Sequence, residues 1–405
     1  MNTSNEKRDR EFLRQLQSLP MQSKFQRTLG LIGEWHNYYK NNVVVSLSGG
    51  KDSTVLADID AIWCKAIKKP MNLCFSNTGL EYPEIQRHVR NLKDHFEKKY
   101  GIEVNLKTVT PEMRFDEVVS RYGYPLISKE VSEAIYYARR ICVGKETIYK
   151  RKALQGQAPT SEKKRIELLE KNPDAEINDR SQFNKEKWFP LSELPIPISH
   201  YCCAKMKKQP IKKWQHENKL FPILGTLAEE SRLREAAWIR HGCNAFDGYA
   251  PSSQPLSFWT EQDILQYIVE YNVPIASVYG DIVNVDEFGN EYEPVDMFGN
   301  VGCNLKCTGC QRTGCIFCGF GFHLEKGETR FQRLAKTHPK QYEYCIGGGQ
   351  WVDNPHYDPT APKYDGEWKN WNPKKIWTPS KKGLGMGKVF EMVNKIYGKD
   401  FYRWE

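Results

Sequence analysis

Asn42-Val43-Val44-Val45-Ser46-Leu47-Ser48-Gly49-Gly50-Lys51-Asp52-Ser53-Thr54-Val55-Leu56 is the stretch whose reading decides the fold. Its β-branched run reads as a buried parallel strand; two glycines and a lysine follow, and Asp-Ser-Thr, residues that cap helices well, open an apolar helix. A strand that turns through glycine into a helix presents successive N–H groups and the positive end of the helix to an anion, and Lys51 adds a mobile charge. The spacing is neither G-x-x-x-x-G-K-[ST] nor G-x-G-x-x-G. Ser48, Gly49, Gly50, Lys51, Asp52 and Ser53 are therefore the expected phosphate cradle.

Working outward, residues 5–40 read as two helices broken near Pro20, with Phe25, Leu29, Ile32 and Trp35 forming the face that packs beneath the first strand. Downstream, Met71–Ser76, Glu103–Val109 and Phe221–Thr226 read as strands, and Ser53–Lys65 and Tyr82–Tyr100 as helices. Strand and helix in alternation predict an α/β fold, a parallel sheet with helices on both faces and its ligand at the carboxyl ends of the strands. Cys64 and Cys74 fall inside apolar elements and read as core thiols. Residues from about 143 to 190 are polar and read as a surface insertion, either a solvated excursion or a basic arm for a substrate larger than a nucleotide. Thr260 to Asp263 is a capping box, to which we assign a structural role.

The chain has 405 residues, 40% of them hydrophobic, enough for a full α/β core. A net charge of +9 favours anionic ligands and permits nucleic acid. The charged N-terminus has no apolar segment of the signal-peptide kind, and no apolar run approaches the length of a membrane span, so a cytoplasmic protein with no membrane partner is expected. In that compartment clustered cysteines imply metal or redox chemistry.

Five of the twelve cysteines fall in Cys303-x3-Cys307-x2-Cys310-x4-Cys315-x2-Cys318. C-x-x-C pairs bring two thiolates to one metal, and either zinc or iron–sulfur satisfies them. Cys202 and Cys203 are adjacent, which suits different irons of a larger cluster better than one tetrahedral ion.

Ser48-Gly49-Gly50-Lys51-Asp52-Ser53 resembles the PP-loop of the ATP pyrophosphatase and PAPS (phosphoadenosine phosphosulfate) reductase superfamily, including its DndC-like branch. Ser76-Asn77-Thr78-Gly79-Leu80-Glu81-Tyr82-Pro83-Glu84 resembles its second nucleotide turn, Cys202-Cys203 its double cysteine, Gly225 to Arg234 its G-x-R-x-x-E-S-x-x-R segment, and Cys315-Ile316-Phe317-Cys318 its late C-x-x-C. The blocks occur in the family's order over about residues 25–320. The resemblance implies a Rossmann-like sheet of the adenine nucleotide α-hydrolase type, with Asn77, Thr78, Gly79, Gly225, Glu230 and Arg234 joining the loop at the nucleotide. It also implies a 4Fe-4S cluster on Cys202, Cys203, Cys315 and Cys318, whose separation is close to that in the cluster-bearing members. Cys303, Cys307 and Cys310 are left for a second metal, a swapped ligand or a relay thiol, and zinc is the alternative metal. Two features depart from the family. Leu227 stands where its arginine is expected, and Cys345 lacks the Glu-Cys-Gly-Leu-His-like context of the reductases' redox cysteine.

The expected division is N-terminal helices over 1–40, a PP-loop α/β domain over 41–280, a cysteine-rich metal-cluster region over 281–345, and a Trp- and Lys-rich tail over 346–405. Tryptophans at the tail's density should pack on folded structure. The expected activity is ATP-dependent adenylation, with Lys51 and Asp52 at the triphosphate and its magnesium, followed by sulfur transfer to an acceptor that includes nucleic acid among its classes. The alternatives are a thiol-dependent sulfonucleotide reductase and a nucleotide-binding redox sensor without turnover. A sulfur-donor protein or a thioredoxin-like reductant is the expected partner.

Overall fold

A computed structural model describes residues 8–140, 144–156, 166, 170–171, 173, 183–246, 250–286, 290–291, 304–360 and 371–405. Cys303, Trp368 and much of the polar segment at 143–190 lie outside the described residues. The chain forms two compact units, one of residues 1–111 with 209–315, the other of 112–208 with 316–405.

The first unit holds the sheet. Strands β1 (Val43–Leu47), β2 (Met71–Ser76), β3 (Val104–Val109), β4 (Phe221–Leu224), β5 (Asn244–Ala245) and β6 (Ser252–Ser253) lie in the order β3-β2-β1-β4-β6-β5. All neighbours are parallel except β5 and β6. The expected parallel sheet is thus present, with one antiparallel edge. Helices α1 (Arg10–Gln17), α2 (Met21–Tyr38), α3 (Lys51–Ile67) and α4 (Pro83–Tyr100) follow the predicted pattern, including the break before Met21. On α2, Phe25, Ile32 and Trp35 are buried as the spacing requires. Lys24 is buried too, because its ammonium pairs with Asp263 at 2.6 Å. That carboxylate also accepts from the Thr260 N–H and hydroxyl, so the capping box is real and does a second job of neutralising a buried cation. A two-stranded hairpin of β7 (Ile282–Asn284) and β8 (Leu305–Cys307) completes the unit.

The second unit is largely helical. Phe322, Phe331, Phe390 and Tyr402 pack ring against ring at its centre. Strands β9 (Gln350–Asp353) and β10 (Lys375–Thr378) pair antiparallel, with Trp351 opposite Trp377 and their rings 5.5 Å apart. Trp404 is buried, while Trp351 remains 44% exposed, so the tail's tryptophans are only in part a core. Basicity is unevenly divided. The second unit has 34 Lys and Arg against 24 Asp and Glu, a net +10, whereas the first has 25 against 26, a net −1. Whatever attracts an anion to the sheet is therefore local rather than a property of overall charge.

No helix among the described residues is long and apolar enough to cross a membrane.

Candidate functional site

β1 buries Val43, Val44, Val45 and Leu47, and the chain then turns through Gly49, at φ +75°, into α3. A Cβ on Gly49 would lie 2.5 Å from Ile85 and 2.9 Å from Val89 on α4; one on Gly225 would lie 3.0 Å from the Asp52 carbonyl oxygen and the Ser53 Cα. Gly49 is needed for its φ and Gly225 for space. These contacts bring three predicted pieces together: the loop Ser48–Ser53, the helix that follows the Asn77-Thr78-Gly79 turn, and the Gly225 turn. The loop is fastened from within by Ser53, whose Oγ accepts from the Ser48 N–H at 3.1 Å and donates to the Gly50 carbonyl at 3.0 Å. In the second turn the Glu81 carboxylate accepts from the Thr78 N–H at 2.9 Å and hydroxyl at 2.8 Å, and Asn77 Oδ1 accepts from the Gly79 N–H at 3.1 Å. Beyond Gly225, Ser231 caps helix Arg232–His241 and Arg234 pairs with Glu230. Leu227 is buried at 3% exposure, so the missing arginine is replaced by core rather than by another contact.

Lys51 is only 4% exposed. Its ammonium lies 3.0 Å from Glu261 and 3.7 Å from Asp52 and donates to the Gln311 carbonyl at 3.2 Å. Burial works against that charge, but Asp52 and Glu261 outweigh it and hold the pKa above the ordinary lysine value. Burial foremost, then Glu261, pushes the Asp52 carboxyl up, opposed by Lys51, Arg312 and Arg234. Asp52 Oδ1 is buried and accepts no hydrogen bond. Four residues here escaped the sequence reading: Glu261, Tyr279, Gln311 and Thr313. For Glu261 a signal existed, since it lies inside the legible capping box from Thr260 to Asp263, but that segment read as helix-start chemistry.

The cysteines divide between the units. Cys307 and Cys310 are buried in the first, near the loop, and among the charges acting on the Cys307 thiol are Lys51, Glu261 and Asp52. Cys202 and Cys203 open a helical turn that passes into a π-helix at Ala204–Lys208, in the same unit as Cys318. Gly319 admits the Pro125 carbonyl, 2.3 Å from where its Cβ would stand, and Phe320 pairs with Ile127, which anchors Cys318 beside the start of helix Lys129–Ala138. A hydrogen bond from Cys202, helped by Lys129 and Lys207, pulls the Cys203 thiol down to about 5 against burial, whereas burial foremost, with the field of Cys203 adding to it, pushes the Cys318 thiol up. In chelator-treated, reduced protein, iodoacetamide at pH 6 is expected to label Cys203 ahead of Cys64 and Cys74, with a rate already flat above that pH. An ordinary thiol is only about 0.3% thiolate there. Peptide mass spectrometry over pH 4–9 checks this.

Among the described residues, His36, Asp60 and Cys64 form the group that gathers three donor atoms within 4.8 Å. It is a buried ion pair between α2 and α3: His36 Nε2 meets Asp60 at 2.8 Å, and burial, Asp60 and its hydrogen bond push the Cys64 thiol up, away from the thiolate a metal needs. Neither unit, among its described residues, gathers three cysteine sulfurs that closely. Cys345 is fully buried against Met386, and burial raises its thiol well above the ordinary value, unlike an accessible redox cysteine.

The sequence matches the phosphoadenosine phosphosulfate reductase domain over residues 42–218 and again over 145–319. A protein of Methanocaldococcus jannaschii described only as uncharacterized is 34% identical over 98 residues, 24% of this chain and 18% of that protein.

Proposed function

The chain belongs to the phosphoadenosine phosphosulfate reductase family, and from that premise we propose that it is an ATP-dependent sulfur-transfer enzyme that adenylates its acceptor. Membership makes it a nucleotide-binding enzyme of the PP-loop type. The finer reading rests on one observation, the Asp52 Oδ1 that is buried beside Lys51 without a hydrogen bond. A hard cation is the partner such an oxygen suits, and magnesium is held by one or two carboxylates together with substrate phosphates. Magnesium–triphosphate fits this donor, whereas a sulfonucleotide needs no metal. The buried Leu227 and the inaccessible Cys345 also count against plain sulfonucleotide reduction.

In this mechanism the N–H groups of Ser48 to Ser53 and the Lys51 ammonium bind the phosphates, and the turns at Asn77–Gly79 and Gly225, with Glu230 and Arg234, hold the nucleoside side. An acceptor oxygen attacks the α-phosphorus and pyrophosphate leaves with the bridging oxygen's electrons. A sulfur nucleophile then displaces AMP, forming the carbon–sulfur or phosphorus–sulfur bond as the bond to the adenylated oxygen breaks. In the second unit Cys202, Cys203 and Cys318 would hold a 4Fe-4S cluster, a reading supported by Cys203, which is already drawn toward thiolate. Bound there, the cluster supplies a place to hold or deliver sulfur. Lys129 and Lys207 offset the charge of the Cys203 thiolate.

Anaerobic protein incubated with ATP, magnesium, sulfide and candidate acceptors should release one pyrophosphate per acceptor modified. Sulfite formation from adenylyl sulfate and a thiol, with no pyrophosphate from ATP, would replace this reading with the reductase.

A further inference from the structure

We propose that the phosphate loop is capped by the chain itself, with the Tyr279 hydroxyl standing where a phosphate oxygen would bind and a clasp of residues 278–281 and 305–313 holding it there. This deepens the reading above, since it concerns the same loop.

An anion cradle works through donors that no other group satisfies. Here the Gly50 and Lys51 N–H groups and the Lys51 ammonium are already engaged. The Lys51 N–H donates to Tyr279 Oη at 3.2 Å, and that oxygen shares a 2.7 Å hydrogen bond with Thr313 Oγ1. The two hydroxyls lie directly on the loop, 3.2 and 3.5 Å from where a Gly50 Cβ would be. The Lys51 ammonium is engaged by Glu261 and the Gln311 carbonyl, and the Gly50 N–H donates to Ser48 Oγ at 3.2 Å.

The capping groups come from both sides of one clasp. Gly309 N–H donates to the Tyr279 carbonyl at 2.8 Å, Cys310 N–H to Val278 at 2.9 Å and Thr308 N–H to Asp281 at 2.9 Å. Packing is close enough that a Cβ on Gly280 would sit 2.2 Å from Thr308 Oγ1, and one on Gly309 2.4 Å from the Val278 carbonyl. The two segments therefore move together or not at all. The Gln311 side chain ties back to the Cys307 carbonyl, so Cys307 and Cys310 belong to the clasp, and whatever occupies those thiols bears on whether the loop opens.

A neutral hydroxyl is a weaker partner for an N–H than a phosphate oxygen, so an anion can displace it, at the cost of opening the clasp. The probe is pyrophosphate, followed by ATP with magnesium, titrated by calorimetry into wild type, Tyr279→Phe and Thr313→Val. Both substitutions keep the buried shape. Removing the capping hydroxyl should tighten pyrophosphate binding by about fivefold, the effect of one net hydrogen bond. Thr313→Val should move it in the same direction by less. Unchanged or weaker pyrophosphate binding in Tyr279→Phe overturns the cap, as does absence of pyrophosphate binding in all three proteins. Tighter pyrophosphate with no ATP binding would keep the cap and sink the ATP reading; pyrophosphate release from ATP with no tightening would do the reverse.

Discussion

Anaerobically purified protein is expected to absorb broadly in the visible and to carry about four irons and four sulfides per chain, and serine in place of Cys203 is expected to remove most of both. The same loss is expected for Cys318→Ser. Cys64→Ser should leave the spectrum intact, because that thiol is buried between helices and held protonated by burial and by Asp60. The argument runs through charge. A thiolate ligand must be deprotonated, and the surroundings of Cys203, Lys129 and Lys207 among them, draw its thiol toward that form. A hydroxyl has no comparable acidity, so the site loses both a ligand and the anion its lysines are arranged around. A colourless wild-type protein holding one zinc, retained in Cys203→Ser, would show that the metal belongs to the other cysteines.

Lys51→Ala should weaken ATP binding by at least tenfold, about 1.4 kcal/mol, and abolish measurable pyrophosphate release. Two effects add. The phosphates lose a cation, and Asp52 and Glu261 are left facing the incoming anion without their shared counter-charge. Calorimetry measures the first and a pyrophosphate assay the second, with circular dichroism confirming that the variant is folded. Undiminished affinity would remove Lys51 from the nucleotide site.

Much of the fold was legible because its signals are local. The run Val43–Leu47, the glycines after it and the start of the helix beyond them lie within fifteen residues, and each obeys a short-range rule of burial, turn geometry or capping. Gly225 was placed by resemblance, and the structure adds a reason, a backbone approach that would leave a Cβ only 3.0 Å from the Asp52 carbonyl oxygen and the Ser53 Cα. What escaped was long-range. Tyr279 and Gln311 reach Lys51 from more than 220 residues away and carry no mark of it in their own neighbourhoods. Glu261 shows the subtler failure: its helix-start signature is correct, and a complete local explanation hid a distant one. The extra, antiparallel edge of two-residue strands is likewise too short to leave a periodic trace.

The order of the strands has a consequence for the chain while it is being made. β1 lies between β2 and β4, and Val43 pairs with Phe221. At translation speeds of roughly 5 to 20 residues per second, the nascent chain displays one open flank of an apolar strand for roughly 10 to 35 s, until Phe221–Leu224 emerges. During that interval an entire stretch of the second unit is synthesised, and the exposed flank is a template for any other extended segment. Survival on the ribosome thus depends on what shields Val43–Ser46 in the meantime, and chaperone engagement should peak while residues 112–208 are being threaded out.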